Sequence, residues 1–460
     1  MSSSLLLFLI LGLMGVGYYS GRRRSLALAN IGGTRLHSLP AYYGFYAALW
    51  AGLPAVALLA LWLFFQDSII TRLVIAQLPA ELNQLSPDQL NLLLNDIRNI
   101  ATGNIVSGEI TAAMQAAADH YIHLQKMARN ILWAVALLIV VLGLFFANNR
   151  ISAPLRARNA VEKTVLITMM MFSTIAILTT LGVVFSVVYE SMLFFREVPV
   201  TEFLFGTEWS PQIALREDQV GASGSFGSIP LFTGTLLVSA IAMFVAVPIG
   251  LMSAVYLSEY AGPRFRSIAK PVLEILAGIP TVVYGFFAAL TMAPFIRSAG
   301  ERLGLEVASE SALAAGLVMG VMIIPFISSL SDDVINAVPQ SLREGSYALG
   351  ATRSETITRV VFRAALPGIV GGILLAVSRA IGETMIVVMA AGLSANLTAN
   401  PLESVTTVTV QIVTLLTGDQ EFDSPKTLAA FALGLALFVV TLCLNIIALY
   451  TVRKYREQYE

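Results

Sequence analysis

Pro339-Gln-Ser-Leu-Arg-Glu344-Gly-Ser-Tyr-Ala-Leu-Gly350-Ala-Thr-Arg-Ser-Glu355 is the stretch on which the reading of this chain turns. Pro339 blocks a continuous helix. Ser341-Leu-Arg-Glu344 has the form of a capping box and predicts a short helix ending at Leu349, with Gly350 in the left-handed position that closes helices. Thr352-Arg-Ser-Glu355 is a second capping box and predicts another short helix running to about Arg363. Two short helices joined by a glycine turn make a rigid, partly amphipathic knob suited to docking. A capped surface loop without a partner shows the same local features, so the segment alone leaves both readings open.

Outward from the knob lie apolar runs at 311–330 and 367–391, and seven more at 5–19, 42–65, 131–148, 164–189, 230–258, 271–296 and 427–451. Most approach the roughly 20 residues a helix needs to cross a bilayer. Hydrophobic residues make up 57% of the chain and charged residues 12%, with mean hydropathy +0.77. Soluble domains carry about twice that charge. The predicted class is an all-α integral membrane protein with about nine transmembrane helices. Leu5–Tyr19 lacks a preceding basic region and a small-residue cleavage site, and Arg22, Arg23 and Arg24 come after it, so it reads as an anchor rather than a cleaved signal. Placing the N-terminus outside puts 18 of the 28 basic residues in cytoplasmic segments, with the C-terminus cytoplasmic, as the positive-inside bias requires. The net charge of −1 gives no sign of a nucleic-acid partner, and the single cysteine, Cys443, excludes an internal disulfide.

Two parts are expected along the chain. Residues 1–163 form an N-terminal extension with three spans and an extracytoplasmic segment, 67–129. In that segment Ser86-Pro87-Asp88-Gln89 predicts a helix start, and Leu90, Leu93, Leu94, Ile97 and Ile100 continue at helix spacing. Gly103 then sits where the helix would end, and Ser107 with Glu109 starts a second one. Residues 164–460 hold six spans and every recognisable motif. The five lysines come after Gln125, Glu162, Ala269, Pro425 and Arg453, never a glycine, so there is no Walker A nucleotide loop. The glycine-rich Gly221–Gly227 does not lie between a strand and a helix and reads as a plain loop. His120 and His123 stand three apart without a third ligand and read as a surface pair; with only one further histidine, no hydrolytic triad can be assembled. The chain reads as a non-enzyme.

Glu344-Gly-Ser-Tyr-Ala-Leu-Gly350 resembles the EAA loop of ABC importer permeases, although Phe362-Arg363 stands where that family has Leu-Pro, and Leu366-Pro367 comes four residues later. Phe226–Thr235, Ala246-Val-Pro-Ile-Gly250, Leu257-Ser-Glu-Tyr-Ala261 and Leu276–Phe286 are similar to segments of Pst-type phosphate permeases. Ser378-Arg-Ala-Ile-Gly-Glu-Thr-Met385 resembles their membrane-embedded signature, the methionine favouring the C-type (PstC) subunit. The resemblance covers about 226–451. It implies a six-helix type I ABC importer permease core at about 231–449, preceded by a three-helix N-terminal extension, in a bacterial inner membrane. It also implies the permease subunit of an ATP-driven phosphate importer, sharing the pathway with an A-type permease subunit and receiving phosphate from an extracytoplasmic phosphate-binding protein. An ATPase subunit dimer would seat the coupling loop at Glu344, Gly345, Ser346, Gly350, Thr352 and Glu355. No cofactor is implied on this chain; ATP and magnesium would sit on the partner ATPase. An importer of another oxyanion (sulfate, molybdate) is the alternative, against which Gly-Glu-Thr-Met stands. A membrane sensor of phosphate status is another, against which the lack of a signalling domain stands.

Arg379 and Glu383 are the candidate pathway residues. They stand i and i+4 in the predicted 367–391 span and are expected to share one helix face near the middle of the membrane. An arginine at the centre of a bilayer costs about 2.5 kcal/mol or more, so it should face a polar interior or a partner. Its planar fork matches an oxyanion, and Glu383 would neutralise the empty site. A permanent ion pair that packs the span is the competing reading. Glu274 is expected near the cytoplasmic interface, Gly250, Gly278 and Gly285 at close helix contacts or kinks, and Pro248 and Pro280 at kinks.

Overall fold

The computed structural model describes residues 3–30, 35–78, 87–103, 111–211, 224–417 and 424–455. The readings of Ser86, Ser107 and Glu109, and part of the glycine-rich loop, fall outside them. Nine helices among the described residues are long and apolar enough to cross a membrane. Each contains one of the nine apolar runs or most of it, because a run of that length without charge has no other way to satisfy its backbone in lipid. The chain divides into two compact units, Met1–Leu178 and Thr179–Glu460.

The first unit holds α1 (Ser3–Asn30), α2 (Pro40–Ile75), α3 (Pro87–Thr102) and α4 (Ala112–Arg150). Leu6 and Ile10 of α1, Ala51, Ala55 and Leu59 of α2, and Leu132, Ala136 and Val140 of α4 form one buried cluster. Small residues let these helices approach: a side chain at Gly21 would meet the Tyr43 carbonyl at 2.6 Å. With 36 and 39 residues, α2 and α4 are about 54 and 58 Å long, well beyond the ~30 Å apolar slab. Their overhanging ends pack with α3 through Ile70, Val74, Ile97, Ala118 and Tyr121. Gly103 closes α3 at φ +77°, as its position after the leucine repeat predicted. The next helix starts at Ala112, with the Thr111 hydroxyl accepting from the Met114 amide.

Helix α5 (Ala157–Glu197) begins in the first unit and ends in the second. Its most apolar stretch buries no residue, so Met169, Met170 and Phe172 stand exposed as a lipid-facing surface. Beyond it come α6 (Val200–Phe205) and a minimal hairpin in which Trp209 and Ser210 pair with Phe226 and Ser225. The part of Gly221–Gly227 that is described is thus partly strand.

The second unit is built around α10 (Ala312–Asn336), which packs closely on α7 (Ile229–Tyr260). At Gly320 an added side chain would meet the Ala242 carbonyl at 2.9 Å, and at Gly250 it would meet Ile327 at the same distance. The predicted 271–296 span is two elements. Helix α8 (Pro263–Ala277) buries no residue and ends at Gly278, and α9 (Thr281–Arg302) starts after Pro280. Pro280 therefore opens a helix rather than kinking one, as proline before the first turn does. Gly278 makes no close contact beyond its own turn, whereas Gly285 lies against Met389. Glu274 is exposed on α8.

The remaining elements are α11 (Gln340–Ala348), α12 (Arg353–Ile381), α13 (Met385–Ala390), α14 (Val408–Leu416) and α15 (Pro425–Tyr455). The predicted 367–391 span is interrupted: α12 stops at Ile381, Gly382 caps it, and α13 resumes only at Met385.

Candidate transport pathway and coupling knob

The interruption decides the geometry of Arg379 and Glu383. Arg379 lies in the last turn of α12, where the negative end of the helix dipole favours a cation. It is exposed on its own chain, with its guanidinium carbon 5.6 Å from the centre of the Phe326 ring. Glu383 stands past the helix cap, so the four-residue spacing no longer places the two on one face. Among the described residues no ion pair joins them. The expectation that they share one helix face is therefore corrected: the helix ends two residues before the glutamate.

The break is held by residues the sequence reading passed over. The Thr409 hydroxyl donates to the Glu383 carbonyl at 2.9 Å, replacing a bond the interrupted helix cannot supply. Thr409 belongs to a buried polar group around the start of α14. The Val408 amide donates to Thr235 of α7 at 3.1 Å, and Thr407 and Thr409 share a hydroxyl bond of 3.1 Å. The Gln411 amide group donates to the Leu393 carbonyl and the Thr406 hydroxyl, both at 3.2 Å, and its oxygen accepts from the Trp209 ring nitrogen at 3.0 Å. Every member is satisfied, which is what makes a buried polar network rigid. The signal was a dense run of threonines, Thr406-Thr407-Val-Thr409, but its partners lie far away in sequence.

The knob forms with two changes. Helix α11 starts at Gln340 after Pro339, two residues earlier than the Ser341 box predicted, and no side chain caps it. At Thr352 the capping box is complete: the hydroxyl accepts from the Glu355 amide, and the Glu355 carboxylate accepts from the Thr352 amide at 2.9 Å. The helix it opens does not stop near Arg363 but continues, through a π-helical stretch at Thr356–Val361, to Ile381. Leu366-Pro367 therefore lies inside a membrane helix. Gly350 takes φ +86°, the left-handed turn between the two helices.

Helix α11 buries none of its residues. Glu344 and Gly345 are exposed, nothing lies within 4 Å of where a Gly345 side chain would be, and Leu349 is 90% exposed. Ser346 instead faces inward and shares a 2.8 Å hydrogen bond with Thr356. The outer face is free for a partner while the inner face is tied to α12.

Two ionic clusters brace the same end of the unit, and neither was legible beforehand. The Asp332 carboxylate, 4% exposed, accepts from Arg266 at 3.0 Å and Lys270 at 2.9 Å, fixing α8 to α10. The bond to Asp332 holds the Lys270 ammonium above the usual lysine range. Glu259, at the end of α7, pairs with Arg343 of α11 at 2.9 Å, both nearly buried. Their partners are separated by 62 or more positions in sequence, so no spacing rule could pair them.

Two family models match separate parts of the chain. Residues 246–457 match the family described as a binding-protein-dependent transport system inner membrane component, and residues 5–179 match one described as a phosphate ATP-binding cassette transporter. The chain is 35% identical over 278 residues to a Mycobacterium tuberculosis protein named phosphate transport system permease protein PstC 1, covering 55% of this chain and 81% of that one. It is 33% identical to the Haemophilus influenzae PstC, covering 55% and 82%. A Bacillus subtilis protein named probable ABC transporter permease protein YqgH is 35% identical, covering 52% and 74%. Among solved structures, a chain of a bacterial alginate ABC transporter aligns at 16% identity with TM-score 0.45, over 65% of this chain and 98% of that one. From the relatives' identity and coverage, the chain belongs to the PstC family of phosphate transport system permeases.

Proposed function

We propose that this chain is a permease subunit of an ATP-driven phosphate importer and forms the translocation pathway together with a second, A-type permease subunit. The observation that carries the pathway is Arg379: a guanidinium at a helix break, exposed on its own chain and free of any carboxylate partner among the described residues. An unpaired cation within a membrane span is too costly to face lipid, and its fork fits an oxyanion. Glu383, half-buried in the gap before α13 begins, supplies a nearby negative charge that repels the anion from a closed site. Phosphate as the cargo is supported by the names of the relatives and by Gly382-Glu383-Thr384-Met385.

The chain supplies no nucleotide site; ATP and magnesium are assigned to a partner ATPase dimer that seats α11 through Glu344, Gly345 and Leu349. Gly350, Thr352 and Glu355 shape the turn, and Ser346 fixes it to α12. An extracytoplasmic phosphate-binding protein delivers the anion, the N-terminus lies outside and the C-terminus is cytoplasmic. Residues 1–163 act as an extension to the permease region 164–460, whose core lies at about 231–449. ATP-driven closure and release of the ATPase dimer shift the population between outward and inward access.

The test is uptake of labelled phosphate by vesicles carrying the complete complex, with sulfate as competitor. Arg379→Gln and Glu383→Gln should each abolish uptake while the complex still assembles. Normal uptake by both variants would refute the pathway assignment, and sulfate uptake in place of phosphate would refute the cargo.

A further inference from the structure

We infer that Glu259 is the joint through which movement of the coupling knob reaches the pathway, with α7 as the rod that carries it. This rests on the importer reading above but concerns residues that reading does not use.

Both arms of the knob converge on this one residue. From α11, Arg343 donates to the Glu259 carboxylate at 2.9 Å and to the Ile335 carbonyl at 2.9 Å, and it also bonds the Val338 carbonyl. From the first turn of α12, Arg353 donates to the Glu259 backbone carbonyl, and its guanidinium carbon lies 5.2 Å from the centre of the Tyr260 ring. The Glu259 and Arg343 side chains are only 10% and 12% exposed. They adjoin a polar cleft of about 720 Å³ that also meets Tyr347 and Arg353. A charge-assisted pair with so little of either side chain exposed resists extension more than a surface pair does. Movement of α11 is therefore passed to the end of α7 and not dissipated in a loop.

Glu259 sits on a π-helical turn, Tyr256–Tyr260, that ends α7. Such a turn holds an extra residue, and it carries both residues that the knob touches, Glu259 and Tyr260. At the other end of the same helix, 24 positions earlier, Thr235 accepts from the Val408 amide at 3.1 Å. The next residue, Thr409, holds the Glu383 carbonyl at 2.9 Å. A set of bonds thus runs from the knob to Glu259, along α7 with its ladder interrupted at Pro248, to Thr235, Val408, Thr409 and the helix break beside Arg379. Helices and hydrogen-bond networks carry coupling between distant sites where they have two discrete arrangements, and here the knob's seated and released states supply the two.

The experiment measures phosphate imported per ATP hydrolysed by the complete complex, with its ATPase and binding protein, in proteoliposomes. Variants are Glu259→Gln, Glu259→Asp and Thr235→Val. Expected is continued ATP hydrolysis by Glu259→Gln with the import ratio lowered about tenfold, the effect of losing one charge-assisted contact. Glu259→Asp, which keeps the charge, should recover much of the ratio, and Thr235→Val should lower it from the opposite end. A merely structural role would lower import and hydrolysis together; that parallel loss, or an unchanged ratio, overturns the inference. If Glu259→Gln does not assemble, the other two decide: wild-type ratios in both overturn it, and a lowered ratio in Thr235→Val supports it. Wild-type complex that hydrolyses ATP but moves no phosphate would defeat the cargo assignment instead, and the ratio would then be read with the anion it does move.

Discussion

Asp332→Asn isolates the ionic brace between α8 and α10. The carboxylate is 4% exposed and holds two cations, Arg266 and Lys270, at 3.0 and 2.9 Å. Breaking a fully buried pair costs about 3–5 kcal/mol, mostly because the remaining charge is stranded. Here the cations are 32% and 35% exposed, so once released they regain water. The asparagine also retains an acceptor oxygen. A loss of about 2 kcal/mol is therefore expected, near the value for a hydrogen bond to a charged group. The assay is reversible unfolding of the purified full chain in mixed micelles of increasing SDS content, for wild type, Asp332→Asn, Lys270→Met and the double variant. The pair should show a coupling energy of roughly 1 kcal/mol in the cycle. A single-variant change below about 0.5 kcal/mol, the range of ordinary surface substitutions, or strict additivity, would refute the assignment of Asp332 as the brace.

The same geometry fixes other outcomes. Thr352→Val removes the hydroxyl of the capping box and should cost about 1 kcal/mol locally, read as roughly fivefold faster amide exchange at Glu355; unchanged exchange would count against the cap. Gly345→Leu meets nothing on its own chain, so the chain should fold normally while recovery of the ATPase with it drops; equal recovery would show that the outer face of α11 is not the docking face. Gly250→Leu places a side chain 2.9 Å from Ile327 and should reduce the folded yield of the chain, whereas Gly345→Leu should not; equal yields would contradict the tight α7–α10 contact. Trp209→Phe leaves the Gln411 oxygen with only the longer contact from the Thr414 hydroxyl, 3.4 Å, and should lower stability by about 1 kcal/mol, measured by the same SDS titration; no change would mean that the Thr414 hydroxyl replaces the indole.

How much of this was legible in the sequence depended on whether the cause was local. The nine spans were, because each is a run whose own backbone must close in a membrane. So were Gly103 and Gly350, where a positive φ selects glycine, and the Thr352 box, which closes within four residues. The break after Ile381 was not. Hydropathy averages across Gly382-Glu383-Thr384 because apolar residues flank it, and the bond that stabilises it comes from Thr409, 26 positions away. Ser341 failed for the opposite reason: its four-residue pattern was right in form, but Pro339 had already started the helix. Recognising Arg379 and Glu383 as charges in an apolar run was possible from sequence; placing them on one helix was not. Glu259, Arg343 and Asp332 lay hidden because charges at the ends of spans are common, and only the folded chain shows which ones meet.

The bareness of α11 has a consequence for the cell's handling of the chain. Leu349 at the end of this helix is 90% exposed and Tyr347 on it 42%, on the face turned away from the chain's own protein. If an ATPase docks there, as proposed, a copy made in excess of it carries that apolar tip uncovered. Docking would then hide apolar surface as well as connect the motor, so the abundance of this permease should track the supply of that ATPase even when its own synthesis is constant.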